Sequence, residues 1–107
     1  MTSGNINYSK LPNTILLSDG QPAWKLIDLP LVMSCIAENG WIVLGGDVLT
    51  CNGKYTHDNW YYNPDTSLNI ADNVRNSISK CLDYTTEYTN RNGSNFLFVL
   101  VLSNRFL

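Results

Sequence analysis

One histidine, His57, stands next to Asp58 and not far from Asp47, and hydrolytic or metal chemistry in this chain would have to be built from these three. A zinc site, catalytic or structural, takes three or four protein ligands and usually more than one His or Cys. Here a single His is on offer, and Cys35, Cys51 and Cys81 are scattered with no C-x-x-C pair. A magnesium site would take Asp47 with Asp58 or Asp65 and would lean on a phosphate substrate. Phosphate binding wants a glycine-rich loop that opens into a helix, whereas Gly45-Gly46 lies between strand residues. The sequence contains no G-x-S-x-G, no Ser/His/Asp set and no P-loop. The residues specify no catalytic centre, no metal and no cofactor, and His57 reads as a solvated strand residue.

The run Trp60-Tyr61-Tyr62 says more. Successive side chains on a strand point to opposite faces, so three adjacent aromatics cannot all enter one core. At least one must face solvent, a covering segment or a partner, and exposed Trp and Tyr are the usual anchors of protein interfaces. Asp47, Asp58 and Asp65 lie close to this run in sequence, and an acidic rim around aromatics suits a basic partner.

The elements that position these residues follow from spacing. Thr14–Ser18 is a short strand closed by Asp19-Gly20. Asp28 is placed to cap a helix with Pro30 in its first turn, where a missing N–H costs nothing. Leu29, Val32, Met33, Ile36 and Ala37 follow one helical face, and Gly40 closes it. The apolar run Trp41–Leu44 reads as a strand covered on both faces, with Gly45-Gly46 marking a bulge or a close backbone approach. Asn52-Gly53 signals a hairpin with a type I′ turn. The return strand, Lys54–Tyr62, places Tyr55, His57, Asn59 and Tyr61 on one face and Thr56, Asp58, Trp60 and Tyr62 on the other. Neither face is cleanly apolar, as expected of an edge strand.

Asn63-Pro64-Asp65 ends that strand. Thr66 or Ser67 is placed to cap a long second helix with the stripe Leu68, Ala71, Val74, Ile78, Cys81, Leu82 and Thr85. Asn92-Gly93 stops it, and Phe96–Leu102 reads as a second central strand. The fold class is therefore α+β: a mixed or antiparallel sheet of three to four strands with two helices on one side. The chain of 107 residues is one domain over 1–107, within which residues 1–20 are only loosely assigned.

Composition narrows the function classes. Charged residues make up 15% of the chain and the net charge is −2, so no basic footprint for nucleic acid is present. The polar N-terminus lacks the layout of a secretory signal, no apolar run is long enough to span a bilayer, and three scattered cysteines read as reduced thiols. These features point to a cytoplasmic protein without nucleic-acid or membrane partners.

Two blocks carry a resemblance. Gly45, Gly46, Asp47 and Val48 end the apolar strand, and Asn59, Trp60 and Tyr61 follow after the hairpin. A helix comes next with Ser77 and with Tyr84 or Tyr88 near its end. In this arrangement residues 22–101 resemble the immunity protein 40 family of bacterial polymorphic toxin and contact-dependent growth inhibition systems. Leu49 stands where that family has Tyr, and Asn76 separates Arg75 from Ser77 where the family has an adjacent Arg-Ser pair. The resemblance implies a non-enzymatic antidote that forms a 1:1 complex with one cognate toxin domain, often a nuclease in such systems, and blocks its active or substrate site. The toxin-binding candidates are then Asp47, Asp58, Trp60, Tyr61, Tyr62 and Asp65. Two other readings compete on the same residues: a small-ligand-binding or regulatory domain using Trp60 and Tyr61, and a metal-dependent hydrolase around Asp47, His57 and Asp58.

Overall fold

A computed structural model describes residues 6–104. Strands β1 (Ile15–Leu16) and β2 (Pro22–Ala23) form a short antiparallel ribbon, followed by helix α1 (Leu29–Glu38), β3 (Ile42–Thr50), β4 (Tyr55–Tyr61), α2 (Ile70–Asn92) and β5 (Phe96–Ser103). The main sheet is antiparallel in the order β4-β3-β5, so the α+β class with a small antiparallel sheet holds. Both helices lie on one face of it. Leu29, Val32, Met33 and Ile36 of α1 and Cys81 and Tyr88 of α2 share a core with Val43, Val48, Trp60, Phe98, Leu100 and Leu102. The ribbon covers the opposite face, where Ala23 packs on Leu49, Leu97 and Val99. The ribbon thus covers the second side of the sheet, while Ile6, Tyr8 and Leu11 before it pack against the helix-side core.

Several local expectations need correcting. Phe96–Ser103 is apolar on both faces yet is not central. Beyond it, among the described residues, lie Trp24, whose N–H and C=O both bond to Phe98 at 2.9 and 2.8 Å, and the Tyr8 hydroxyl, which accepts from Leu102 N–H at 3.1 Å. The strand is apolar on both sides because helices cover one face and the ribbon the other, and burial by layers needs no neighbour strand. The hairpin turn is not type I′. Gly53 N–H donates to Thr50 O at 2.8 Å, Gly53 alone in the loop has positive φ (+82°), and Thr50 N–H donates to Lys54 O at 2.7 Å. This is a three-residue loop with glycine in the left-handed position.

The α2 cap is Asn69, whose side chain accepts from Asp72 N–H at 2.8 Å. Neither Thr66 nor Ser67 fills that role, because Asp65 to Ser67 form a separate turn. Its carboxylate accepts from both the N–H and the hydroxyl of Ser67. Asp28 does precede α1, but its carboxylate takes a bond from Asn13 Nδ2 at 3.0 Å and leaves the helix N–H groups alone. Ala37, Ala71, Ile78 and Leu82 were expected in buried stripes. All four line an apolar groove of about 620 Å³ between the two helices, with Met33 and Val74 in its floor; Ala37 and Ala71 are exposed there, whereas Ile78 and Leu82 are half-buried and also pack against the core. Leu44 is only half-buried.

Candidate functional site

The two sequence blocks are one object in three dimensions. Gly45 pairs with Tyr61, Gly46 with Trp60 and Asp47 with Asn59 across the β3–β4 ladder. Gly46 lies beneath the Trp60 indole, and a Cβ there would meet Val99 O at 2.2 Å and Trp60 Cη2 at 2.4 Å. Gly45 takes φ +152° where the β3–β5 register shifts, and a Cβ would meet Trp60 O at 2.3 Å. The glycines let the strands close and let the six-membered ring of the indole approach the β3 backbone. The register shift leaves the Val43 N–H to be satisfied by the buried Ser77 hydroxyl at 2.9 Å, which in turn donates to Val74 O. Ser77 is therefore a strand-to-helix tie.

Trp60 belongs to the core. It is 5% exposed and stacks on Tyr84 with ring centroids 5.0 Å apart at 27°. Tyr84 stacks on Tyr88, which meets Phe96 and Phe98 edge-on. As a surface anchor for a partner, Trp60 is thus corrected: alternation sends it toward α2, and the helix covers it. The Tyr88 hydroxyl donates to Asp58 Oδ2 at 2.8 Å. Burial first, and then the neighbouring Asp58 carboxylate, raises the Tyr84 and Tyr88 phenols above their ordinary range.

The other candidates spread along β4 and its flanks. Tyr61 alternates with the helix-facing Trp60 and is 66% exposed at the sheet edge, where the Lys80 ammonium of α2 reaches to 5.4 Å from its ring centroid. Asp47 sits half-buried at the middle of the sheet, between Asn59 and Val99. Tyr62 is half-buried and donates to Asn73 Oδ1 at 2.7 Å. Asn73 is fully buried, also accepts from Asp65 N–H and donates to Asp65 O and Asn69 O. It holds the strand-to-helix loop as one body. Asp65 is exposed, and its two bonds from Ser67 hold its carboxyl below the usual range.

The structure does not bring Asp47, His57 and Asp58 into one cluster. Asp47 lies on the outer face of the sheet, Asp58 is bonded to Tyr88 on the helix side, and His57 is exposed in a bulge at φ +70°. That bulge places four residues, Tyr55 to Asp58, against two of β3. The Thr56 hydroxyl bridges the gap, donating to Val48 O and accepting from Asp58 N–H. Among the described residues no three His, Cys, Asp or Glu side chains are placed to hold a metal ion.

Three exposed residues lie outside the binding candidates named from the sequence. Tyr55, 46% exposed, donates its hydroxyl to Gln21 Oε1 and ties the ribbon to β4. Asn59 is exposed on the same face as Tyr61, and strand alternation could have found both. Val101, 47% exposed, flanks Gly45 opposite Tyr61. Nothing in an all-apolar strand marks which residue the ribbon fails to reach.

The ladder that joins the two blocks, the Ser77 tie and the tyrosines of α2 are the features on which the sequence resemblance stood. A family model described as Immunity protein 40 matches residues 15–102. The chain belongs to the immunity protein 40 family. The match begins at β1, so the ribbon lies within the family domain. Searches of curated proteins and of solved structures returned no match. Membership in the immunity protein 40 family supports an immunity function, and the geometry shows that its two blocks, as they stand here, are first of all a device for closing β3 on β4. No helix among the described residues is long and apolar enough to cross a membrane.

Proposed function

We propose that this chain is an antidote that works in the cytoplasm by binding one cognate toxin domain in a 1:1 complex and covering its active or substrate site, with no catalysis of its own. The observation that carries the reading is the family match over residues 15–102. The surface supports it. Tyr61 and Tyr55 stand exposed on β4, and exposed tyrosines suit a protein contact because they bury a large area at low conformational cost.

Asp58 lies on that strand, Asp65 follows it, and Asp47 is on the neighbouring one. Carboxylates so placed speed encounter with a basic surface and enforce selectivity. A nuclease toxin, whose cleft must attract phosphate, presents such a surface, and we assign the toxin to that class.

The test is co-expression of this chain with the toxin domain encoded beside it, followed by co-purification and a growth assay. Rescued growth with a stable complex supports the reading. Rescue without a complex would point to an enzymatic or regulatory route, and no rescue would remove the reading.

A further inference from the structure

β4 is an outer strand, and half of its backbone polar groups face away from the sheet. The ladder fixes which half. Tyr62 N–H donates to Leu44 O at 2.8 Å, and Trp60 stands opposite Gly46 in the same register. Trp60 and Tyr62 therefore direct their N–H and C=O groups to β3. Asn59 and Tyr61 alternate with them and turn theirs outward.

The opposite edge of the sheet is occupied: Trp24 bonds both ways to Phe98, and Leu102 N–H donates to the Tyr8 hydroxyl at 3.1 Å. Proteins usually blunt an open edge with bulges or proline. Here the bulge stops at Asp58 and Pro64 comes only after the strand, which leaves Asn59 to Tyr61 in regular register between them with no strand beyond, the Lys80 side chain lying against the Tyr61 ring.

We propose that Asn59–Tyr61 receives an extended segment of the toxin as a fourth strand, with its main chain bonded to Asn59 and Tyr61. The inference rests on the toxin-binding reading and adds the mode of attachment. The outward donors and acceptors recur two residues apart along the strand, a spacing that the main chain of another strand repeats and that of a helix does not. With so short a ladder, the main-chain bonds set register and direction. Selectivity falls to the side chains on either side of the added strand, Tyr61 on the outer face and Asp58 and Tyr62 on the helix side.

The experiment uses the full chain and a catalytically inactive form of the toxin domain encoded beside it. Residue-resolved amide exchange is measured with and without toxin. We expect the Asn59 and Tyr61 amides to slow by about tenfold or more on binding, as for newly bonded strand amides. Two variants give a second readout. Asn59→Pro removes the outward N–H without touching the bonds to β3, a setting in which a strand tolerates proline. Asn59→Ala removes the same side chain and keeps the N–H.

The proline variant should bind about tenfold more weakly than the alanine variant. Equal affinities of two folded variants, or a tight wild-type complex whose Asn59 and Tyr61 amides exchange as in the free chain, overturn strand addition alone. Should Asn59→Pro fail to fold, the exchange measurement decides. Concentration-dependent protection of the same amides without toxin would assign the edge to a second copy and overturn the proposal. A wild-type chain that binds no toxin removes both readings together.

Discussion

Replacing Trp60 with alanine removes the side chain that joins β4 to α2. The indole is 5% exposed, lies over Gly46 and stacks on Tyr84 at 5.0 Å. Truncation of a buried Trp costs about 3–5 kcal/mol, and the ring stack accounts for about 0.5–1.5 kcal/mol of that. A domain of this size has about 5–15 kcal/mol in all, so the variant keeps a folded fraction but loses much of its margin. With a urea slope of about 1.5 kcal/mol/M, typical of small domains, the midpoint should fall by about 2–3 M. Trp60→Phe should recover more than half of the loss. It restores a ring against Tyr84, and it omits an indole N–H that finds no acceptor among the described residues.

The assay is urea denaturation of the three proteins followed by toxin titration of the folded fraction. A double-mutant cycle with Tyr84→Ala should show coupling between the pair. Affinity of folded Trp60→Ala should stay within a few-fold of wild type. An unchanged urea midpoint together with a hundredfold loss of affinity would refute the core assignment and return Trp60 to the interface.

Other substitutions separate scaffold from surface. Tyr61→Ala should leave the melting temperature within about 2 °C, as expected of an exposed site, and weaken toxin binding by about 2–4 kcal/mol; a fall in stability without loss of affinity would contradict this. Asn73→Ala strips bonds from Tyr62, Asp65 and Asn69 and should cost about 2–4 kcal/mol by leaving buried groups unpaired, read as a lower denaturation midpoint.

The thiols should divide by access. Cys51 is exposed, Cys35 intermediate and Cys81 buried, all three free, so a thiol reagent should modify Cys51 first and all three only after denaturation. Burial pushes the Cys81 thiol up to about 12 from an ordinary 9.0. A folded value above the unfolded one means its contribution is intact below pH 9 and is lost as pH rises toward 12, at up to about 1.4 kcal/mol per pH unit. Cys81→Ala should flatten that alkaline decline, and an identical slope in both proteins would refute the assignment.

Local pattern was enough to find α1, α2, the β3–β4 hairpin and β5, because each is written in the chain's own periodicity and punctuation. Leu29, Val32, Met33 and Ile36 recur at helical spacing, and Gly40 and Gly93 stop the helices at positive φ. The two blocks around Gly45 and Trp60 were also legible, and so was the resemblance they carry. Their meaning was not.

Whether Trp60 or Tyr61 faces a partner depends on which side of β4 the helix α2 covers, and alternation alone says only that the two must differ. The edge position of β5 was hidden for the same kind of reason. An apolar strand records that both faces are covered, and it is silent on whether helices, a ribbon or neighbouring strands cover them. His57 and Asp47 are near each other in sequence, yet a bulge and the pleat put them in different surroundings. The helices, the hairpin and β5 are legible in the chain alone, since periodicity and turn residues act between near neighbours, and the two blocks carry the family by residue identity. The sidedness of each strand and the open edge are not, because both follow from packing between segments far apart in sequence.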